Sequence, residues 1–304
     1  MSDGGEGFVD AFDGTDVVVN ACGPLEESTQ ARVRLSPSGH GLLGVIEVAD
    51  VIGRDRLPRP NRHEALAASS RGVGFLMMAC QELGATSLVV GCGGSATSDG
   101  GLGCYRYVGE QGGLKVPVTV ATDVTARFSG ASRYALQKGV NPHDLHIVEQ
   151  RLATLRDTYR REQGVDVELI ERTGAAGGIA GALVALGATP VGGFDAVADA
   201  VGLDAQLENC PLLISGEGRL DEGSFEGKVV VSIAQRVGPE SRLVLICGSV
   251  DAGARERFHS RFPHAELISL SDRYGIDRAL ADTLACVEEV AGDVFRQFLS
   301  SHEG

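Results

Sequence analysis

A glycine-rich stretch with hydroxyl and carboxylate side chains carries the clearest chemical signal in this sequence. It runs from Gly91 to Gly103, reads GCGGSATSDGGLG, and follows the apolar segment 87–90. A short β-branched strand that passes through such a loop into a helix presents backbone N–H groups to an anion. We therefore predict a phosphate-binding loop. Its candidate binding residues are Gly93, Gly94, Ser95, Thr97, Asp99 and Gly100.

The loop matches no common nucleotide fingerprint. Its spacing fits neither the GxxxxGKS/T pattern nor the GxGxxG pattern. Glycine also serves wherever a backbone needs positive φ, so a tight strand-to-helix turn without a ligand is the alternative interpretation.

Asp123 stands where a reactive carboxylate is expected in an α/β protein. It ends the β-branched segment 116–122, which predicts a buried strand. Ligand crevices in open α/β sheets lie beyond the carboxyl ends of strands. Asp123 is therefore a candidate general base or metal ligand, and a plain turn aspartate is the alternative.

Two further loops repeat the pattern of a strand, a glycine-rich turn and a helix. The first is 173–178, whose candidate binding residues are Gly174, Gly177 and Gly178. We expect it to face the 91–103 loop across one cleft. The second, 216–228, follows the predicted strand 211–215. It carries the side chains of Glu217, Arg219, Asp221 and Lys228, for which an ion-paired surface turn is the alternative.

The composition limits the partners of this chain. The net charge of −14 over 304 residues disfavours nucleic acid and anionic membranes, which need a basic face. An acidic protein that binds an anion must gather its few cations locally or use Mg²⁺. Lysine occurs only three times, and two of the three, Lys138 and Lys228, lie beside glycine. The seven scattered cysteines predict reduced thiols and a cytoplasmic protein.

The order of the segments predicts an α/β fold. Apolar runs of strand length alternate with helical periodicity along most of the chain, which is typical of parallel sheets covered by helices. The length favours about two domains.

Several of these segments, in this order, resemble the signatures of type I glycerate kinases. They are DGGEG at 3–7, SSRGVG at 69–74, GGSATSDGG at 93–101, GAAGG at 174–178 and SGEGRLD at 215–221, followed by Gly227-Lys228. The resemblance implies transfer of a phosphoryl group from ATP to D-glycerate with Mg²⁺. It also implies two α/β domains, one inserted into the other. We assign residues 1–22 and 208–304 to an outer domain with a Rossmann-like parallel sheet, and 23–207 to the inserted domain.

On this resemblance, Asp99, Asp123 and Asp221 divide two tasks, which are holding Mg²⁺ and accepting the proton of the glycerate hydroxyl. We favour Asp123 as the general base, and Lys228 and Arg219 offset charge on the transferred group. Asp221 with Glu217 lies near the metal, and Lys138, in the retained Gln-Lys-Gly core, contacts substrate or nucleotide. The family's Asp-Ser-Phe-Lys-Gly segment has no counterpart before Ser2, and 122–128 lacks the family's Asn and Pro. A shortened, non-catalytic protein that binds a hydroxy acid or a nucleotide is therefore the alternative. The sequence leaves open whether the protein forms a homodimer.

Overall fold

The computed structural model describes residues 4–5, 7–39, 41–225 and 229–302. The chain divides into two compact units, Met1–Val201 and Gly202–Gly304. Both units are α/β with parallel strands, which confirms the predicted fold class. No helix in the described ranges is long and apolar enough to cross a membrane.

Unit 1 is built on a six-stranded sheet whose spatial order follows the chain. Its strands are β1 (Thr15–Cys22), β2 (Ser28–Ser38), β3 (Gly41–Glu47), β4 (Ser87–Gly91), β5 (Val118–Thr122) and β6 (Thr189–Gly192). The first three strands pair antiparallel, and β3 to β6 pair parallel. The carboxyl ends of β3 to β6 therefore meet at one edge of the sheet.

Helices cover the sheet of unit 1. They are α1 (Ala49–Ile52), α2 (Arg62–Ala67), α3 (Arg71–Glu82), α4 (Leu102–Glu110), α5 (Leu145–Gln163), α6 (Ile179–Ala185) and α7 (Gly193–Ala200). The apolar residues of α3 recur at helical spacing, and Val73, Leu76, Met77 and Cys80 are all fully buried. They pack with Val90 and Val120 of the central strands into the largest apolar cluster of the unit.

Unit 2 contains a three-stranded parallel sheet in chain order, made of β7 (Leu212–Leu220), β8 (Arg242–Val250) and β9 (Glu266–Ser269). Its helices are α8 (Leu203–Leu207), α9 (Val229–Arg236), α10 (Ala252–Arg261), α11 (Leu270–Tyr274), α12 (Ile276–Ala281) and α13 (Thr283–His302). The last two of these helices are separate, because the backbone of Asp282 between them leaves the helical conformation at φ −123°.

Two boundaries differ from the sequence-based expectations. Residues 15–22 form β1, paired with β2 through eight residues, so they lie in unit 1 and not with 208–304. Strand β7 continues to Leu220, into the segment predicted to be a loop, because β8 pairs with it as far as Val250. The seven cysteines are free thiols, and six of them are buried.

Candidate active site

A cleft of about 200 Å³ lies in unit 1, at the carboxyl ends of β4 and β5. Four segments supply its walls: the one after α1, the loop after β4, the segment after β5, and the glycine-rich turn before α6. Its lining residues are Arg54, Cys92, Gly93, Gly94, Ser95, Asp123, Val124, Tyr134, Gln137, Lys138, Ala175, Ala176 and Gly177. The two glycine-rich loops expected to share a cleft therefore both line this one.

The first half of the 91–103 loop forms one wall. Backbone contacts hold it, since Gly53 and Ser95 form an antiparallel bridge and the Arg54 N–H donates to the Gly94 carbonyl oxygen at 3.0 Å. Gly93 must be glycine, because a Cβ there would lie 2.4 Å from the Cα of Gly5. The N-terminal DGGEG segment thus meets this loop through Gly4 and Gly5.

Lys138 is the buried cation of the cleft. Its ammonium donates to the Ser95 hydroxyl and to the Thr97 carbonyl oxygen, both at 2.8 Å, and only 8% of the residue is exposed. Burial lowers the pKa of Lys138 to about 7, against a smaller opposite effect from Asp99. An anion in the cleft would favour the charged form of this amine.

The turn before α6 closes on Lys138 from the other side. Gly177 has φ +72°, and a Cβ there would lie 2.1 Å from the Thr97 carbonyl oxygen and 3.0 Å from Lys138 Nζ. Its neighbour Ala176 is also left-handed, at φ 54°, a conformation that strains a residue with a Cβ. Strain of this kind is typical of functional sites.

Asp123 is the carboxylate that lines the cleft. It directly follows β5, as predicted, and is exposed. The preceding turn is tied by Thr122, whose hydroxyl donates to the Val124 carbonyl oxygen at 2.7 Å, and by Arg172, which donates to the Thr122 carbonyl oxygen at 3.2 Å. A carboxylate so placed can accept a proton from a hydroxyl held in the cleft.

The second half of the 91–103 loop makes its contacts within the protein through Asp99. The Asp99 carboxylate is 7% exposed and accepts four hydrogen bonds, from the N–H and hydroxyl of Ser70 and from the N–H groups of Gly101 and Gly103. The Cys104 N–H donates to the Ser70 hydroxyl. Protein groups therefore already satisfy the first N–H donors of α4, which the sequence had suggested for a phosphate. Asp99 joins the starts of α3 and α4.

The other predicted binding glycines serve packing. The Gly100 N–H donates to the Gly177 carbonyl oxygen, and the Gly174 N–H to the Ala126 carbonyl oxygen. A Cβ on Gly178 would lie 2.8 Å from the Cα of Gly100, so these two glycines allow the two loops to touch. Thr97 contributes its backbone carbonyl oxygen, while its side chain is fully buried outside the cleft lining.

The remaining predicted residues belong to unit 2. Arg219, on β7, forms a two-point ion pair with Asp251 at 3.1 and 3.0 Å, in the manner of the alternative surface-turn interpretation. The Asp221 carboxylate accepts the Ser224 N–H at 3.2 Å, and Glu217 lies on β7. Lys228 lies outside the described residues. In the described part of the chain, no three His, Cys, Asp or Glu side chains gather to hold a metal ion.

Sequence reasoning missed part of the cleft. Arg54 lies in a segment rich in proline and arginine, whose sequence predicts only a loop. Tyr134 and Gln137 lie in 3₁₀ turns, whose sequence has no periodic pattern. The one available signal was the position of Gln137 beside Lys138 in the Gln-Lys-Gly core.

Comparison with known proteins agrees with this geometry. A family model described as "Glycerate kinase family" matches residues 1–113 and 110–299. Glycerate 2-kinase of Escherichia coli K12 is 33% identical over 77% of this chain and 71% of its own length. A glycerate kinase of Halalkalibacterium halodurans is 29% identical over 97% of this chain and 87% of its own.

A solved structure extends the likeness to three dimensions. A protein of Salmonella typhimurium LT2, assigned as glycerate kinase 2, superposes with a TM-score of 0.74 at 27% identity, covering 99% of this chain and 88% of that one. The family match spans nearly the whole sequence, and the curated relatives cover both units. The chain therefore belongs to the glycerate kinase family, whose members are phosphotransferases that act on glycerate.

Proposed function

We propose that this protein transfers the terminal phosphoryl group of ATP to a hydroxyl of D-glycerate, giving phosphoglycerate and ADP. One observation carries the proposal: Asp123, Lys138 and the glycine-rich backbone at 93–95 line one cleft at the carboxyl ends of parallel strands. Phosphoryl transfer asks a protein mainly for alignment and charge compensation, and this set of groups supplies both.

In the proposed reaction, Asp123 accepts the proton of the attacking glycerate hydroxyl. The hydroxyl oxygen forms the new bond to phosphorus while the bond between phosphorus and the ADP oxygen breaks, and ADP leaves with that electron pair. Lys138 is the cation that the cleft itself supplies. Lys228 and Arg219 are proposed to offset charge on the transferred group, and Arg219 would first have to exchange its Asp251 partner.

A magnesium ion is proposed to arrive with the nucleotide. Mg²⁺ in kinases is usually held by one or two carboxylates together with phosphate oxygens, so it needs no cage of three protein ligands. Glu217 and Asp221 are the carboxylates proposed to hold it. Bound there, the ion would neutralise charge on the phosphate oxygens.

The test is ADP formation by the full chain, followed with a coupled assay in the presence of D-glycerate, L-glycerate or neither. We expect ADP release only with D-glycerate, and ³¹P NMR identifies the phosphorylated hydroxyl. Asp123→Asn should lower kcat by about 100-fold or more, the size of a general-base contribution, without weakening D-glycerate binding. Lys228→Met should also lower kcat while unfolding stays cooperative.

Two results would contradict parts of the proposal. If D-glycerate or ATP binds in calorimetry but no ADP forms under any condition, the protein is the non-catalytic binder that the sequence left as the alternative. Full activity of Asp123→Asn would remove Asp123 from the role of base.

A further inference from the structure

The second cation of the cleft, Arg54, holds no ion-pair partner. Most arginines whose contacts are described pair with a carboxylate, as Arg62 does with Asp144 and Arg156 with Asp166. Within the described ranges, no carboxylate pairs with the exposed Arg54 guanidinium, although the chain carries 41 acidic residues against 27 basic ones. An arginine left open at a cleft of an acidic protein calls for an anion from outside.

Arg54 also stands close enough to Lys138 to repel it. The Arg54 charge is one of the effects that disfavour the ammonium form of the buried lysine. Two cations that face one cleft raise the free energy of the empty protein. An anion placed between them relieves this repulsion, because it attracts both.

The backbone, by contrast, holds Arg54 firmly. The Ala96 N–H donates to the Ile52 carbonyl oxygen at 2.8 Å and the Arg54 N–H to the Gly94 carbonyl oxygen, so residues 52–54 lie along the glycine loop as a short ladder. Because residues 52–54 are hydrogen-bonded to the loop, the backbone of Arg54 is held beside the cleft. Such support by neighbouring residues gives a binding side chain its geometric precision.

Size and charge indicate which anion fits. The cleft, at about 200 Å³, is smaller than the roughly 300–1,000 Å³ typical of pockets for drug-sized ligands. This volume suits a three-carbon acid. The Asp123 carboxylate in the same cleft repels a polyphosphate, whereas it can accept a hydrogen bond from a hydroxyl. A small hydroxy acid with one negative charge suits this lining, because its carboxylate is attracted by Arg54 and Lys138 and its hydroxyl can donate to Asp123.

We propose that Arg54, assisted by Lys138, binds the carboxylate of the acid substrate and thereby selects a small hydroxymonocarboxylate over neutral polyols. This inference rests on the proposed function, since it takes the unit 1 cleft as the acceptor site. It adds a specificity-determining residue that neither the family segments nor the predicted glycine-rich loops contain.

Calorimetry without nucleotide tests this directly. The probes are D-glycerate, glycerol, inorganic phosphate and ATP. The variants are Arg54→Gln and, as a matched control, Arg59→Gln, an exposed arginine of the same segment that does not line the cleft. We expect Arg54→Gln to weaken D-glycerate binding by about 10- to 100-fold, the loss of a two-point charged hydrogen bond. Binding of ATP should stay within twofold, and Arg59→Gln should bind D-glycerate as the unchanged protein does.

Steady-state kinetics separates this inference from the proposed function. If phosphorylation proceeds and Arg54→Gln leaves the KM for D-glycerate unchanged, the inference fails and the function stands. If D-glycerate binds through Arg54 but no ADP forms, the inference stands and the function fails. Loss of ATP or phosphate binding in place of D-glycerate binding would reassign Arg54 to the phosphate donor and overturn the proposal. Arg54→Lys should recover only part of the affinity, because an ammonium lacks the planar fork.

Discussion

The Lys138 ammonium donates a hydrogen bond to the Thr97 carbonyl oxygen at 2.8 Å, between residues 41 positions apart in the chain. This bond joins the segment after β5 to the glycine-rich loop after β4, and both segments line the cleft. The same nitrogen reaches the Ser95 hydroxyl on the cleft wall. One buried lysine therefore joins the two segments, and we propose that it also binds the ligand.

Replacing this lysine should separate those two roles. We expect Lys138→Met to lower kcat/KM for D-glycerate by about 10- to 100-fold, the range of charged hydrogen bonds, because the cleft loses its buried cation. Unfolding should remain cooperative, since the methionine stem fills the same space. The coupled assay and urea unfolding measure the two effects. Wild-type kcat/KM in this variant would exclude Lys138 from the site.

The depressed pKa of Lys138 predicts pH-dependent stability of a definite sign. The folded protein loses the lysine proton near pH 7, whereas the unfolded chain keeps it to the ordinary value of 10.5. Between these values the unfolded state binds more protons, so Lys138 makes the free energy of unfolding rise with pH. Relative to Lys138→Met, the unchanged protein should gain stability from pH 7 to pH 9 in urea unfolding. A constant difference between the two would contradict the shift.

The same shift predicts proton uptake when D-glycerate binds. Three groups act on the Lys138 amine: Asp99 favours its charged form, Arg54 opposes it, and Cys92 is a neutral thiol whose pKa burial raises to about 12. Asp123 lines the same cleft. An added carboxylate favours the ammonium. Above pH 7, affinity should fall by up to about tenfold per pH unit, as expected for one linked proton. Calorimetry at pH 8 in buffers of different ionisation enthalpy measures the uptake, and a buffer-independent heat would refute it.

The variant Asp99→Asn tests whether Asp99 stabilises the fold or binds a ligand. It accepts four hydrogen bonds while almost fully buried, and Asp99→Asn turns one acceptor oxygen into a donor that meets N–H groups. We expect a loss of about 2–4 kcal/mol in the free energy of unfolding. Urea unfolding measures it. An unchanged stability with abolished D-glycerate or ATP binding would instead return Asp99 to the ligand-binding residues.

Gly177 and Gly187 form a matched pair of left-handed glycines. Gly187 has φ +96° and open space where a Cβ would lie, whereas a Cβ on Gly177 would meet the Thr97 carbonyl oxygen and Lys138 Nζ. Gly187→Ala should cost only about 1–2 kcal/mol of backbone strain. Gly177→Ala should cost more and also lower activity by displacing Lys138. Equal unfolding curves and equal kcat/KM for the two variants would count against the close packing at Gly177.

Local sequence determined the elements and the family. The strands at 87–91 and 118–122, the apolar face of α3 and the position of Asp123 after β5 follow from patterns within a few residues, because side-chain alternation and helical spacing are local properties. The ordered glycine-rich segments likewise pointed to the glycerate kinase family, which the family match confirms.

Tertiary structure alone decided which polar groups face the cleft. Asp99 and Asp123 look equally available in sequence, but two helix starts converge on Asp99 while Asp123 stays at the sheet edge. Arg54 carries no local signal, and only its alignment with the loop after β4 brings it to the site. The physical reason is that a buried polar group must find its hydrogen-bond partners among residues far away in the chain. Which side chains remain for a ligand is therefore settled only when the whole sheet and its connections have packed.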